Sequence, residues 1–166
     1  MAAQLFLLLA LQAGMTPSHR DKAQVLLFIR SDCPISNRYA PELEKLYKRY
    51  SPSGIEFLLV YPESGLTAAA MKQHGREYGY SIPAVLDPDH RYVALAKAGV
   101  TPEAAVFVKS RLVYLGRIDD WYVDIGKAKA QPEHRDLDEE LSAILAGRVP
   151  PFHQTKSVGC VIENLR

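Results

Sequence analysis

The chain has 166 residues, of which 48% are hydrophobic and 23% charged, so it is long enough for one globular domain with a core. Its formal net charge is +1, with both signs mixed along the chain, which argues against a basic nucleic-acid-binding surface. Two cysteines, Cys33 and Cys160, are too few for a disulfide scaffold but are the number that a redox pair requires. No cysteine and histidine spacing matches a zinc site, so we predict no metal.

Residues Met1–Gly14 form an apolar N-terminal segment. The segment is too short to span a bilayer and resembles the apolar part of a secretory signal, although no Lys or Arg precedes it and Leu11 is large for a cleavage site. The alternatives are a first element of the fold or an extension upstream of the true start. The signal interpretation predicts an exported, periplasmic or extracytoplasmic protein with no membrane span in the mature chain.

Residues 22–148 are predicted to form the main domain, in which strands alternate with helices. Val25–Ile29 is a continuous apolar run, typical of a strand buried on both faces of a parallel sheet. A helix follows Pro34, with Leu43, Leu46 and Tyr50 on its apolar face, and leads to a second buried strand at Ile55–Tyr61. Together they predict a βαβ unit with a parallel strand pair.

Shorter elements complete the predicted domain. Thr67 is a candidate cap for the second helix, and Ala68, Met71 and Tyr78 are its candidate inward residues. The remaining predicted elements are a helix over Leu66–Tyr78, a strand over Ile82–Leu86, a helix over His90–Ala98, an antiparallel hairpin of Ala104–Val108 and Leu112–Ile118, a loop over Asp119–Pro132 anchored by Trp121, and a helix over Arg135–Arg148. Residues 149–166 form a C-terminal tail that carries Cys160.

Cys33 lies where the first strand has ended and the first helix begins. The free N–H groups and the positive dipole end of a helix N-terminus favour an anion, so the pKa of a thiol there is expected to be lowered. The alternative is an inert buried cysteine. Because Cys33 lies among Ser31, Asp32 and Pro34 rather than inside an apolar run, the sequence favours a reactive thiol.

Two motifs, Cys33-Pro34-Ile35-Ser36 after the first strand and Thr101-Pro102 before a later one, carry a family resemblance. With the order of elements, they resemble the thioredoxin superfamily, in the redoxin branch shared by peroxiredoxins and exported thioredoxin-like proteins. The resemblance implies an α/β three-layer sandwich with a mixed central sheet flanked by helices. The stretches SDCPISNRYAPEL, GRIDD and VGC are also similar to a group of uncharacterised bacterial redoxins.

The resemblance implies a thiol-dependent oxidoreductase without a cofactor, acting by thiol-disulfide exchange or by peroxide reduction. Cys33 would be the catalytic thiol, and Pro34, Thr101 and a cis Pro102 would face the substrate. Its partners would be a protein thiol or disulfide, or a peroxide, together with an external reductant. The chain departs from the family at Ser36, which replaces the second cysteine of the motif, and before Cys33, where neither the thioredoxin Trp nor the peroxiredoxin Pro-x-x-x-Thr pattern occurs.

Any internal partner for Cys33 must therefore be Cys160. Gly159 before it would allow the backbone to approach closely, and Ser36 could hydrogen-bond the thiolate. Three interpretations stay open: a redox pair, a purely structural disulfide, and a tail in which Cys160 is a bystander. Closing so long a loop by a disulfide would stabilise the fold by about 5 kcal/mol.

Two other classes of function remain open at this stage. One is a non-catalytic thiol or copper carrier, in which Cys33, Cys160 and a histidine such as His153 would converge on a soft metal. The other is a redox-inactive relative that binds partners near Pro102. Several residues are candidate neighbours of the thiol: Arg30, Asp32, Asn37, Arg38, Tyr39, Glu103 and the cluster Asp119-Asp120-Trp121-Tyr122.

Overall fold

A computed structural model describes residues 23–163. The predicted secretory signal at Met1–Gly14 lies outside these described residues. The strands are β1 Ala23–Phe28, β2 Ile55–Tyr61, β3 Ala84–Leu86, β4 Val100–Thr101, β5 Glu103–Val108, β6 Arg111–Gly116, β7 Tyr122–Asp124, β8 Lys127–Ala128, β9 His153–Gln154 and β10 Cys160–Val161. The helices are α1 Pro34–Tyr50, α2 Ala68–Glu77, α3 Arg91–Ala96 and α4 Asp136–Leu145.

Six strands form a mixed central sheet in the order β3-β2-β1-β5-β6-β9. Strand β1 pairs in parallel with β2 and antiparallel with β5, so the predicted βαβ unit and the β5–β6 hairpin are both confirmed. Two smaller sheets, β10-β4 and β7-β8, lie outside it. The predicted α/β sandwich with a mixed sheet is therefore the fold of this chain.

Strand β1 is buried on both faces, and its alternating side chains divide the core into two layers. Val25 and Leu27 pack with the apolar faces of α1 and α4, whereas Leu26 and Phe28 pack with α3 and with Ile162 from the tail. This explains the continuous apolar sequence of the strand, because neither face meets water. The C-terminal end of β1 is thereby fixed, and the loop to Cys33 starts from it.

Most helix and strand boundaries lie within a few residues of their predicted positions. Thr67 caps α2 as predicted, since its hydroxyl accepts a hydrogen bond from the Ala70 N–H at 3.1 Å. Of the predicted inward residues of α2, Met71 is half-buried and packs against the core, as expected, whereas Ala68 and Tyr78 are exposed, so these two predictions are wrong. His74 is the buried residue of the helix. A polar ring in the buried position hid the true face of the helix from a hydrophobicity pattern.

The largest additions to the predicted elements lie in segments without regular apolar spacing. The predicted loop after β6 contains the small β7–β8 hairpin, and Trp121 anchors it as expected by donating its indole N–H to the Lys129 carbonyl at 2.9 Å. The tail contributes β9 to the central sheet and β10 to β4. Within residues 23–163, no helix has the length and apolar character needed to cross a membrane.

Candidate redox site

The N-terminus of α1 holds Cys33 in place. Cys33 is the N-cap residue, with extended backbone angles (φ −90°, ψ 111°), and Pro34 starts the helix without needing a hydrogen-bonded N–H. The Cys33 N–H donates to the Arg30 carbonyl at 3.3 Å, and its carbonyl accepts from the Asn37 N–H at 3.0 Å. Cys33 is 0% exposed. The thiol is therefore fixed at the helix N-terminus, but it is covered.

The loop before β5 closes over the thiol from the opposite side. The Thr101–Pro102 peptide bond is cis, as predicted from the resemblance. Thr101 is buried, and its carbonyl oxygen accepts a hydrogen bond from the Cys33 thiol at 3.3 Å. The two motifs that are far apart in the sequence thus meet at one sulfur atom.

The tail brings Cys160 to the same place. Strand β10 pairs antiparallel with β4 so that Cys160 lies opposite Thr101, and the Ile162 N–H donates to the Gly99 carbonyl at 3.0 Å. The Cys160 thiol donates to the Cys33 sulfur, with 2.6 Å between the two sulfur atoms. Both thiols are free here. The pair lies close enough for a disulfide without a large backbone movement.

Two features of the tail make this approach possible. Gly159 crosses the Thr101–Pro102 loop so closely that a Cβ at position 159 would overlap the Thr101 carbonyl. The Ser157 hydroxyl donates to the buried Glu103 carboxylate at 2.8 Å, and the same carboxylate accepts from the Gly99 N–H at 2.8 Å. Glu103 therefore ties the tail to the turn before β4, a role that the sequence did not reveal.

The two thiols have opposite pKa shifts. Burial alone would raise the pKa of Cys33, but hydrogen bonds from the Cys160 thiol and from the hydroxyl and N–H of Ser36 lower it below its ordinary value. Burial, the hydrogen bond to Cys33 and the charge of Cys33 raise the pKa of Cys160 to about 11. Of the two thiols, Cys33 therefore ionises more readily to the thiolate, while Cys160 keeps its proton.

Ser36 is fully buried below Cys33. Its N–H is one of the free groups of the first helical turn, so the predicted effect of the helix N-terminus on the Cys33 pKa acts partly through this residue. Pro34, by contrast, is exposed beside the pair. The structure therefore gathers all six candidate residues in one place: Cys33, Pro34, Ser36, Thr101, Pro102 and Cys160.

The charged and aromatic neighbours act at a distance from the sulfur atoms. Arg30 forms a two-pronged ion pair with Asp32 at 2.9 Å, and Arg38 donates to the Tyr122 hydroxyl at 3.3 Å. Tyr39 is buried and hydrogen-bonds Asp119. These side chains shape the walls of the site and bind one another rather than Cys33.

A buried hydrogen-bond network supports the loop before Cys33. The ring of His74 bonds the Tyr61 hydroxyl at 2.8 Å and the Asn37 side-chain oxygen at 2.9 Å, and the Asn37 amide donates to the Ser31 carbonyl at 2.9 Å. Because Asn37 offers His74 an acceptor, the Nε2 of His74 carries the proton and Tyr61 donates to Nδ1. The sequence of α2 does not indicate that His74 supports the loop before Cys33, because a single histidine in a mostly polar helix is typical of an exposed residue.

The structure does not bring His153 to the cysteines. His153 lies on β9, where it packs against Tyr114 and its Nε2 is 3.7 Å from the Glu140 carboxylate. Among residues 23–163, no group of three or more His, Cys, Asp or Glu side chains is arranged to hold a metal ion. The convergence on which a copper carrier would depend is therefore not seen in the part of the chain that is described.

The fold is that of the thioredoxin superfamily, in its redoxin branch. The AhpC/TSA family model matches residues 14–114, and the chain belongs to that family. No match was found among curated proteins.

Solved structures of bacterial proteins show the same fold. An uncharacterized conserved protein from Geobacillus kaustophilus is 27% identical, with 87% of this chain and 78% of that chain covered and a TM-score of 0.75. A hypothetical protein from Sinorhizobium meliloti is 25% identical, covering 86% of this chain and 80% of that one, also with a TM-score of 0.75. A putative thioredoxin from Neisseria meningitidis, 17% identical over 76% of this chain and 77% of that one, shares the fold with a TM-score of 0.58.

Proposed function

We propose that this protein is a thiol-dependent oxidoreductase that cycles between a Cys33–Cys160 dithiol and a disulfide. The observation that carries the proposal is the contact of the two sulfur atoms, 2.6 Å apart at the N-terminus of α1. Membership of the AhpC/TSA family supports a thioredoxin-like redox role. The opposite pKa shifts of the two thiols support a division of work between a nucleophile and a resolving cysteine.

The oxidising half of the cycle starts with the Cys33 thiolate. With a peroxide, its sulfur attacks one oxygen, the O–O bond breaks, and Cys33 becomes a sulfenic acid while the other oxygen leaves as an alcohol or water. With a disulfide, the attack gives a mixed disulfide and releases one thiolate. Because Cys33 is covered, either oxidant requires the tail to move aside.

Cys160 then completes the disulfide. Its sulfur attacks the oxidised Cys33 sulfur, and the leaving hydroxide or thiolate takes the Cys160 proton, so the products are the disulfide and water or a thiol. An external dithiol returns the pair to the reduced state and is itself oxidised to a disulfide. Ser36 stays in place and hydrogen-bonds the Cys33 thiolate that each reduction regenerates.

The test is the thiol state of the purified protein, read by mass after alkylation. Two free thiols should become one internal disulfide after one equivalent of peroxide, and a dithiol reductant should restore both. Cys33→Ser and Cys160→Ser serve as controls, since neither can form the bond. Oxidation of Cys33 alone, with Cys160 left as a free thiol, would contradict the proposal.

The same experiment separates a redox pair from a structural disulfide. A redox pair should be reduced within minutes by a physiological dithiol such as reduced thioredoxin, whereas a structural bond should require denaturant as well. Repeated cycles of peroxide and reductant should show turnover in the unmutated protein only.

We further propose that the protein works outside the cytoplasm. Support for this comes from the apolar segment Met1–Gly14 alone. Expression of the full chain followed by cell fractionation and mass measurement of the mature N-terminus tests it. An uncleaved chain that stays in the cytoplasm would contradict it.

A further inference from the structure

An open apolar groove lies beside Cys160. It has a volume of about 410 Å³ and mainly apolar walls, with one cation, Arg38. The walls include Pro34, Ile35 and Arg38 from α1, Tyr122 and Ile125 from the β7–β8 hairpin, and Cys160 itself. Ile125 is 71% exposed at the rim. An exposed apolar surface of this kind at a reactive group is typical of a binding site.

The two sulfur atoms differ in how they can be reached. Cys33 is 0% exposed, beneath Thr101 and the tail, whereas Cys160 is half-buried and forms part of the groove wall. In the closed arrangement of the tail, an incoming thiol can therefore approach Cys160 but not Cys33.

The edge of β4 before the cis proline is also occupied. Strand β10 takes the backbone positions opposite Val100 and Thr101, so an extended partner chain cannot pair there unless β10 leaves. A partner that reacts with the closed protein must dock elsewhere, and the groove offers an apolar surface with the Cys160 sulfur in its wall.

We propose that the reductant of this protein is a protein thiol flanked by apolar residues, which docks in the groove and attacks Cys160. This inference rests on the proposed disulfide cycle and names the partner class and the sulfur atom at which it reacts. The occupant must carry a thiol because the groove leads to Cys160, and it must be apolar because the groove walls are mainly apolar.

The thiol-disulfide exchange with the partner proceeds in two steps. The partner thiolate forms a bond to the Cys160 sulfur, the Cys33–Cys160 bond breaks, and Cys33 leaves as a thiolate. A second thiol of the partner then attacks its own sulfur in the mixed disulfide, which oxidises the partner and releases Cys160, and Cys160 takes up a proton. Departure of Cys33 as a thiolate is assisted by the hydroxyl and the N–H of Ser36, which hydrogen-bond its sulfur and lower its pKa.

A trapping experiment locates the attacked sulfur. The oxidised protein is mixed with a blocked Leu-Cys-Leu peptide, quenched in acid after short times and digested with pepsin, and the peptide-bearing fragment is identified by mass. We expect at least ten times more peptide on Cys160 than on Cys33. Equal amounts, or an excess on Cys33, would overturn the inference.

A rate comparison tests the groove independently and applies even where the mixed disulfide is too short-lived to be trapped. Ile125→Asp places a charge in the groove, and Val123→Asp is the matched control on the same hairpin, exposed but outside the groove lining. Relative to glutathione, reduction by the Leu-Cys-Leu peptide should slow at least five-fold in Ile125→Asp and change less than two-fold in Val123→Asp. An equal effect of both substitutions would overturn the docking site.

Failure of this inference is distinguishable from failure of the proposed function. If no Cys33–Cys160 disulfide forms with peroxide, the redox cycle itself is wrong. If the disulfide forms but the peptide is found on Cys33, the cycle stands and only the docking proposal is lost.

Discussion

The two cysteines occupy opposite kinds of structure. Cys33 is part of the main domain: it caps a 17-residue helix, it is fully buried, and the pKa of its thiol is lowered. Cys160 belongs to a two-residue strand in the tail, is half-buried, and has a pKa raised to about 11. One thiol is fixed by the core of the domain, while the other is held by contacts that can be released.

This difference indicates how a motif with one cysteine can still supply a pair. In a Cys-x-x-Cys motif both thiols belong to one helix turn, and Ser36 removes that option here. The tail instead delivers the second thiol through a glycine contact, a buried carboxylate and one apolar anchor, Ile162.

The largest effect is expected from Gly159→Ala. The added Cβ would overlap the Thr101 carbonyl, so β10 cannot keep its place and the two thiols should separate. We expect the equilibrium constant for disulfide formation in a glutathione buffer to fall at least 100-fold, and alkylation of Cys33 to accelerate. Gly99→Ala is the matched control, because Gly99 directly precedes β4 and a Cβ there meets nothing within 4 Å. Unchanged disulfide formation in Gly159→Ala would show that the tail does not depend on this contact.

A substitution on the Cys33 side is His74→Phe. It keeps a ring in the buried position but leaves the Tyr61 hydroxyl and the Asn37 oxygen without their partner. We expect the free energy of unfolding of the reduced protein to fall by about 2–3 kcal/mol, as buried polar groups lose hydrogen bonds. Urea denaturation measures this, with exposed Gln73→Ala as the control. A change in the free energy of unfolding below 0.5 kcal/mol, about the effect of a surface substitution, would show that the His74 network does not stabilise the protein.

Ser157→Ala acts on the tail more gently than the glycine substitution. It deletes the hydrogen bond to Glu103 and leaves one oxygen of that buried carboxylate unpaired. A hydrogen bond to a charged group contributes about 1.5 kcal/mol at the lower end of its range, so the disulfide equilibrium constant should fall roughly ten-fold, less than in Gly159→Ala. The exposed neighbour Lys156→Ala should leave it unchanged. If the two variants behave alike, the carboxylate does not hold the tail.

The smallest effect is expected from Ser36→Ala, which removes one hydroxyl that lowers the pKa of Cys33. The thiolate is the reactive form, so the oxidation rate falls as the pH drops through that pKa, and the variant should shift the midpoint to higher pH. Loss of about 1 kcal/mol would reduce the thiolate-to-thiol ratio about five-fold. Absorbance at 240 nm, titrated in a Cys160→Ser background, measures the midpoint. A shift to lower pH would contradict the hydrogen-bond assignment.

Much of the fold follows from regular apolar spacing in the sequence. The run Val25–Ile29 and the strand Ile55–Tyr61 predicted a buried parallel pair because a continuous apolar segment has no solvent-facing side. Cys33 at the strand-to-helix boundary and Pro102 in cis were both expected and are both found. These predictions depend on short-range pattern and on the family resemblance, which a single sequence displays directly.

The missed features depend on contacts between distant segments. A hydrophobicity pattern does not place His74 on a buried face because its ring is polar, although its partners Tyr61 and Asn37 satisfy it inside the protein. Strand β10 gives no signal in the sequence because two residues carry no periodicity, and its place is set by Gly159, which fits against Thr101. Predicting such contacts requires the three-dimensional shape of both segments, whereas the sequence gives only the identities of their residues.

The 127-residue separation between the two cysteines has a consequence for protein lifetime. A disulfide across such a loop would lower the entropy of the unfolded chain and stabilise the oxidised form by about 5 kcal/mol, comparable to the whole stability of many domains. A protease that cleaves transiently unfolded chains would then degrade the reduced form far faster. The amount of the protein would then depend on the redox state of its surroundings, being higher under oxidising conditions.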